Sequence, residues 1–480
     1  SENTAIGNDA MRNNTTGSTN TALGNTALYN NTTATNNTAV GHSALVSNTT
    51  GSENSGFGTQ ALQNNTTANN NTACGFRALR VNTTGVNNTA VGRKALDANT
   101  TASDNAAFGS DTLGSNTTGF QNTAFGRGAL NANTTANNNV AVGYAALDRN
   151  TTGASNVAVG SVALFFNTTA SNNTAVGYGS LNANTTGDNN TAVGTLALDA
   201  NTTQNNSVAI GYRSLTSQTV ADQNTAVGAD SMYTNTTGEY NVAMGFMTLY
   251  SNTTANYTTA LGYQALLSNT TGGTNTAVGA NAMDACTTGS ANAGFGTHAL
   301  GAVTTGANNS ALGYDSGGAI TTGSNNLMLG KEAGGGSSPG GTITTGSNNV
   351  VLGNNSISNL FCADTTISSS DSRDKADITD FTQGLSWINS LRPVTFRWDR
   401  RTWYGTKENP YGTSDGSKKR SKINVGFLAQ EVLEIEKANG YGADNDNSLI
   451  TYLQEDEMAY MLKEGKLEIL LFPKTTLLEP

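Results

Sequence analysis

The chain has little charge, little proline and almost no cysteine or histidine. Only 12% of its 480 residues are Asp, Glu, Lys or Arg, and only 5 are proline. Disordered chains of low complexity usually carry more of both, so the bias points to one structural unit copied many times. Cys74, Cys286 and Cys362 are odd in number and far apart, which predicts neither a disulfide framework nor a metal cluster, and no cofactor is expected. His42 and His298 are the only histidines. No apolar run reaches the length of about 18 residues that spans a membrane, so no membrane insertion is expected. The first residues, Ser1-Glu2-Asn3-Thr4, do not read as a secretory signal. The net charge of −10 argues against nucleic acid as a partner, because phosphate binding needs clustered Lys and Arg. One basic run exists, Lys418-Lys419-Arg420 with Lys422, and it reads as a solvated loop.

Glycine is abundant, at 55 residues, and Asn and Thr dominate most of the chain. The composition then changes. Residues 1–369 hold 16 acids and 9 bases, whereas 370–480 hold 18 acids and 15 bases in less than a third of the length. Trp387, Trp398 and Trp403 and four of the five prolines lie in the second part. The sequence therefore divides into residues 1–353, a linker at 354–369, and a C-terminal domain at 370–480.

The first part is periodic. The unit Asn-Thr-Ala-Val-Gly recurs with its glycine at 7, 24, 41, 58 and every 17 residues to 330, and once more at 353 after an insertion of six residues near 334–341. The residue before the glycine is apolar in all 21 copies, from Ile6 and Leu23 to Leu352. Four residues after it stands Leu or Met in 18 of the first 20, the exceptions being Gly317 and Gly334. Four before it stands Asn in 19 of 21, the exceptions being Ser207 and Thr258. Seven after it is usually another Asn, followed by Thr-Thr. Asn-Thr-Thr fits an N-glycosylation sequon, but here it recurs because the coil does.

A period of 17 is too short for a helical hairpin and suits one β-coil. The Thr-x-Val alternation is strand-like. The invariant glycine fits a positive φ or a close backbone approach. These features predict an all-β parallel β-solenoid (β-roll) of about 21 coils. Leu and Val are expected inside, stacked on their own kind, with Asn forming ladders at the turns. At about 4.8 Å per coil the rod would be roughly 95 Å long. Its core is thin, so a homotrimer is expected, with the Ala-rich face buried between chains.

The Asn-Thr-Ala-Val-Gly units, and Asn-Ser-Val-Ala-Ile-Gly ending at Gly211, resemble the head repeats of YadA-like trimeric adhesins. That likeness covers residues 1–353 and implies a left-handed parallel β-roll.

The C-terminal part carries three ordered motifs: Ser370-Asp371-Ser372-Arg373-Asp374-Lys375, Arg392-Pro393-Val394-Thr395-Phe396-Arg397-Trp398, and Gly426-Phe427-Leu428-Ala429-Gln430-Glu431-Val432. Together they resemble the intramolecular chaperone of endosialidase-type tailspikes, peptidase S74. The resemblance implies a small α+β domain that drives trimer folding and then cuts itself off near the Ser-Asp step. It places the nucleophile at Ser370 and its base at Lys375, with Asp371 and Arg373 positioning the loop. A serine hydroxyl needs an adjacent base, and a lysine amine serves when burial leaves it neutral. A Ser/His/Asp triad is excluded, because both histidines lie in the repeats. Asp377 stands where the family usually has Asn, and 470–480 do not continue the family's long final helix. We expect helices at 381–391 and 429–438, a strand at 394–398, and a hairpin or loop at 404–422.

A solenoid joined to such a chaperone reads as a virion tail fibre or spike, extracellular, with a host cell-surface glycan or protein as receptor and other virion tail proteins as partners. Outward aromatics that break the repeat, Phe165, Phe166, Tyr240 and Tyr257, are candidates for receptor contact. No turnover of an external substrate is expected beyond single-turnover autoproteolysis. Two alternative readings fit less well. A bacterial trimeric surface adhesin is expected to end in a membrane-anchoring β-segment, which the last residues do not resemble. A polysaccharide-degrading tailspike enzyme needs paired carboxylates in a groove, whereas acids in the repeats are sparse and scattered. Ice binding by Thr rows would leave the chaperone motifs unexplained.

Overall fold

The computed structural model describes residues 2–359 and, further on, 389–397, 399, 404, 406, 413, 415–426 and 428–438. The chain divides into two units, Ser1–Asn359 and Leu360–Pro480.

The first unit is a parallel β-solenoid. Each coil contributes one three-residue strand, from β1 (Thr4–Ile6) to β21 (Val350–Leu352). Consecutive strands pair in parallel, each residue on the one 17 positions later, as Thr174 on Thr191 and Val176 on Val193. Backbone bonds between coils continue past the strands: Gly24 N donates to Ile6 O at 2.8 Å, and Leu28 N to Ala44 O at 3.0 Å. The rest of each coil is turns, with left-handed residues such as Thr26 (φ 55°) and Leu28 (φ 51°) repeating every 17.

The glycine column does both things glycine allows. From Gly7 to Gly313 its φ lies between 131° and 140°. A methyl group on Gly177 would also sit 2.5 Å from Gly194 O in the next coil. Glycine is thus required by conformation and by stacking together.

The core corrects one expectation. Leu28, Leu45, Leu62 and their equivalents are fully buried in one axial column. The valine row is not. The middle residue of each strand points inward, Ala in 17 of the 21 and fully buried at Ala22, Ala39 and Ala90, with Gly56, Gly294, Met328 and Val351 in the other four, whereas the residue before the glycine points outward and is buried in none of the 21 coils. Strand alternation requires Ala to oppose Thr and Val, but does not choose the inner side. A coil of 17 residues has room for one Leu column and small residues only, so Ala takes the interior. The Ala-rich face is therefore already buried within one chain.

Two asparagine ladders line the interior. In the first, Asn139 Oδ1 accepts from Asn156 N at 2.9 Å, and Asn139 Nδ2 donates to Gly153 O at 3.0 Å. In the second, seven residues after each glycine, Asn133 Nδ2 donates to Asn116 Oδ1 at 2.8 Å and to Ala136 O at 3.1 Å. The second ladder breaks twice. Gln218 turns instead to Ser207, donating to its Oγ at 3.0 Å and accepting from Asn224 Nδ2 at 3.0 Å, so it fills the gap a missing Asn leaves at 207. From coil 17 onward the column becomes apolar, with Cys286, Val303 and Ile320 fully buried. Asn201 Oδ1 and Asn269 Oδ1, just before these two changes, are buried without a hydrogen-bond partner.

The six inserted residues do not disturb the stack. β20 (Leu327–Leu329) still pairs with β21, Leu327 on Val350. The extra segment is pinned by Ser338, whose Oγ accepts from Gly334 N at 2.9 Å and donates to Gly353 O at 3.2 Å.

In the second unit, β22 (Val394–Phe396) pairs antiparallel with β23 (Asn424–Gly426), and α1 (Ala429–Ala438) follows. Of the strand expected at 394–398, residues 394–396 are extended, 397 is not, and 398 lies outside the described residues; the helix expected at 429–438 is present. Of the helix expected at 381–391, residues 389 and 390 are helical and 381–388 lie outside the described residues.

Candidate functional site

The solenoid surface holds the outward aromatics. Tyr240 and Tyr257 stack with ring centroids 5.0 Å apart and planes 1° from parallel. Phe165 and Phe166 meet edge to face at 4.8 Å. The Arg149 guanidinium lies over both of these rings, at 5.3 and 4.8 Å. Three further stacks are not visible as breaks in the repeat: Phe108 with Phe125 at 4.7 Å, Tyr233 with Tyr250 at 5.2 Å and Phe246 with Tyr263 at 5.7 Å. Each joins residues 17 apart, so searching for aromatics at the coil period would have found them. Arg213 lies over Tyr212 and Tyr233, at 4.9 and 4.7 Å, and pairs with Asp230 at 2.9 Å. Coils 13 to 16 thus concentrate aromatic surface and one well-held cation on one stretch of the rod.

Acids on the solenoid are sparse, and two pairs hold the same position in successive coils, Asp222 with Glu239 and Asp315 with Glu332. Among the described residues no cluster of three His, Cys, Asp or Glu could hold a metal. Asp148 and Asp199 are half-buried, and burial raises both above the usual carboxylate range. The nearby Arg149 charge opposes this at Asp148, and a hydrogen bond from Thr216 opposes it at Asp199. Burial pushes the Cys286 thiol up to about 11, which leaves it unreactive at neutral pH.

The second unit brings two of the three motifs together. Val394 of the Arg-Pro-Val segment pairs with Gly426 of the Gly-Phe-x-Ala segment. Arg392 Nε donates to Glu431 Oε2 at 3.0 Å, and its Nη2 donates to the other carboxylate oxygen. This bidentate pair holds Glu431 below the usual carboxylate range and raises the guanidinium. Lys418 lies over the Tyr404 ring at 5.0 Å. Ser370, Asp371, Arg373 and Lys375 lie outside the described residues, as do Cys362, Trp387 and Asp377.

No helix among the described residues is long and apolar enough to cross a membrane. Compared with known families, residues 370–441 match the family described as chaperone of endosialidase, peptidase S74. All three motifs fall inside this match. No curated protein matches the chain.

Proposed function

We propose that this chain is a subunit of a trimeric virion fibre or spike, whose C-terminal domain is an intramolecular chaperone that aligns three copies and then cleaves itself. The observation that carries the reading is the juxtaposition of a chaperone-of-endosialidase segment with a long β-solenoid in one chain. Parallel solenoids nucleate slowly and expose unpaired coil ends while they do so, which favours a dedicated folding domain. Cleavage then removes that domain and leaves unfolding kinetically hindered.

The chemistry assigned to the cut is peptide-bond cleavage by Ser370. Its hydroxyl oxygen attacks the scissile carbonyl carbon, Lys375 takes the hydroxyl proton, and the peptide nitrogen leaves protonated. Water then hydrolyses the ester and regenerates the serine. Asp371 and Arg373 hold the loop. The fibre's role in this proposal is attachment to a host-surface glycan or protein, with the stacked aromatics of coils 13 to 16 as the contact region.

The test is a denaturing gel of wild type beside Ser370→Ala. Wild type should give two fragments, divided near residue 370, and the variant should remain whole. An uncut wild-type chain in an assembled fibre would refute self-cleavage.

A further inference from the structure

We infer that the outward face of strands β1–β21 is the surface on which copies of this chain pack against one another. The inference rests on the trimer reading above and adds which side of the rod faces the partners.

Two residues per coil make up this face, the first and last of each strand. None of these 42 positions carries a charged residue, and the last is apolar in every coil. Every charged residue of the repeats lies on another part of the coil. Yet none of the last-position side chains is buried in the single chain: Phe125 is 52% exposed, Met244 45% and Leu312 57%. An uncharged strip therefore runs the length of the rod, unbroken and apolar along its last row and Thr or Ser at 13 of the 21 first positions. With about 4.8 Å between coils and about 3.3 Å per strand residue, it measures roughly 95 by 10 Å. That is about 950 Å² in all, of which the unbroken apolar row is about half, as large as the largest and often functional apolar patches of monomers, roughly 300–600 Å². Shared between two neighbours about a threefold axis, the strip gives each pair about half that, so the assembly rests on closure of the ring and not on one pairwise interface.

A second copy fits this strip better than an unrelated protein does. The strip repeats every 17 residues for 19 intervals without slippage, so a partner must match that period over the whole length. Another copy of the same solenoid does so automatically. Around a threefold axis parallel to the rod, each row meets the same row of its partners at the same height. Large side chains such as Phe57, Phe108 and Phe125 then meet their own kind at the axis, as do the valines at 142, 159 and 176.

Cys74 belongs to this row and is exposed in the single chain, whereas Cys286 is buried. It supplies a test at a native residue. Two packed sheets lie about 10 Å apart, beyond the roughly 7 Å limit of a disulfide between Cα atoms. A short bismaleimide is therefore the appropriate linker. Full-length Cys362→Ser protein is assembled, its mass is measured by light scattering, and it is treated with bismaleimidoethane under native conditions. A trimer should yield a covalent dimer on a denaturing gel, in at most about two-thirds of the chains, because one of every three thiols is left without a partner. Adding Cys74→Ser should abolish the dimer. Moving the thiol to an exposed turn, by Thr33→Cys in that background, should not restore it. A trimer by light scattering that gives no Cys74 cross-link, or cross-links equally through Thr33→Cys, would overturn the assigned face while leaving the trimer standing. A monomer by light scattering would overturn the trimer itself, and the assigned face with it.

Discussion

Replacing one ladder asparagine tests whether the buried amides, and not the apolar column alone, hold the coils together. In Asn139→Ala the Asn156 N–H loses the acceptor that stood 2.9 Å away. Gly153 O keeps a partner, because Asn150 Nδ2 also donates to it at 2.9 Å. The loss is therefore one orphaned buried donor, and the lost amide contacts add only modestly to it. Leaving such a donor unsatisfied costs about 1–3 kcal/mol. Where a rod unfolds irreversibly a melting temperature is a poor gauge of a local defect, whereas native-state hydrogen exchange reads local opening directly. At about 1.4 kcal/mol per factor of ten, amides around Asn156 should exchange about 5- to 150-fold faster. The effect should fade over neighbouring coils, since each coil contacts mainly the next. Thr135→Ala, on the exposed turn of the same coil, is the control and should change nothing. Exchange around Asn156 within twofold of wild type would refute the view that the ladder is a structural element.

Two further outcomes follow from other columns. Gly177→Ala places a methyl 2.5 Å from Gly194 O at a φ of +132°, so coil spacing must open there; we expect loss of assembled fibre in expression trials, whereas Ala at the exposed Thr33 should be neutral. Asp199 has a folded pKa raised above 3.8, so its stability contribution falls as pH rises through the window above that value. Asp199→Asn should therefore slow local exchange in coil 12 at neutral pH and leave it unchanged below pH 3.8; equal gains at both would show that ionisation is not the cause.

Much of this fold is legible because a solenoid turns one-dimensional periodicity into three-dimensional stacking. The glycine spacing gave the coil, the Leu column gave the core, and the two Asn columns gave the ladders. The inward side of each strand was not legible. Thr-Ala-Val fixes only that Ala opposes Thr and Val, and preference for burying the larger residue points the wrong way when the coil is too narrow. The Gln218–Ser207 exchange was also hidden, because each residue alone looks like a lapse in the repeat. In the C-terminal unit, the Arg392–Glu431 pair joins motifs 39 residues apart, a separation that periodicity cannot reach.

The same regularity that makes the rod predictable makes its assembly ambiguous. If two copies slide by one coil, every apolar last-row residue still meets another apolar one and every column glycine another glycine, and only one rung's contacts are lost. Over about 20 rungs that is a small fraction of the interface, so slipped pairs compete closely with the aligned one. Irregular coils break the degeneracy. The apolar column from Cys286 to Ile320, the glycines at 317 and 334, and the six-residue insertion all lie at the C-terminal end of the array. The chaperone-like segment begins just beyond them, at residue 370. With the C-terminal domain aligning the copies as proposed, register would be specified where the unique sequence is, and the repeats would inherit it. A chain whose uniform coils were extended by several more copies should therefore still align, whereas one deprived of residues 280–480 should associate in mixed registers. Electron microscopy would show the latter as rods of uneven length, and rods of uniform length would refute the argument.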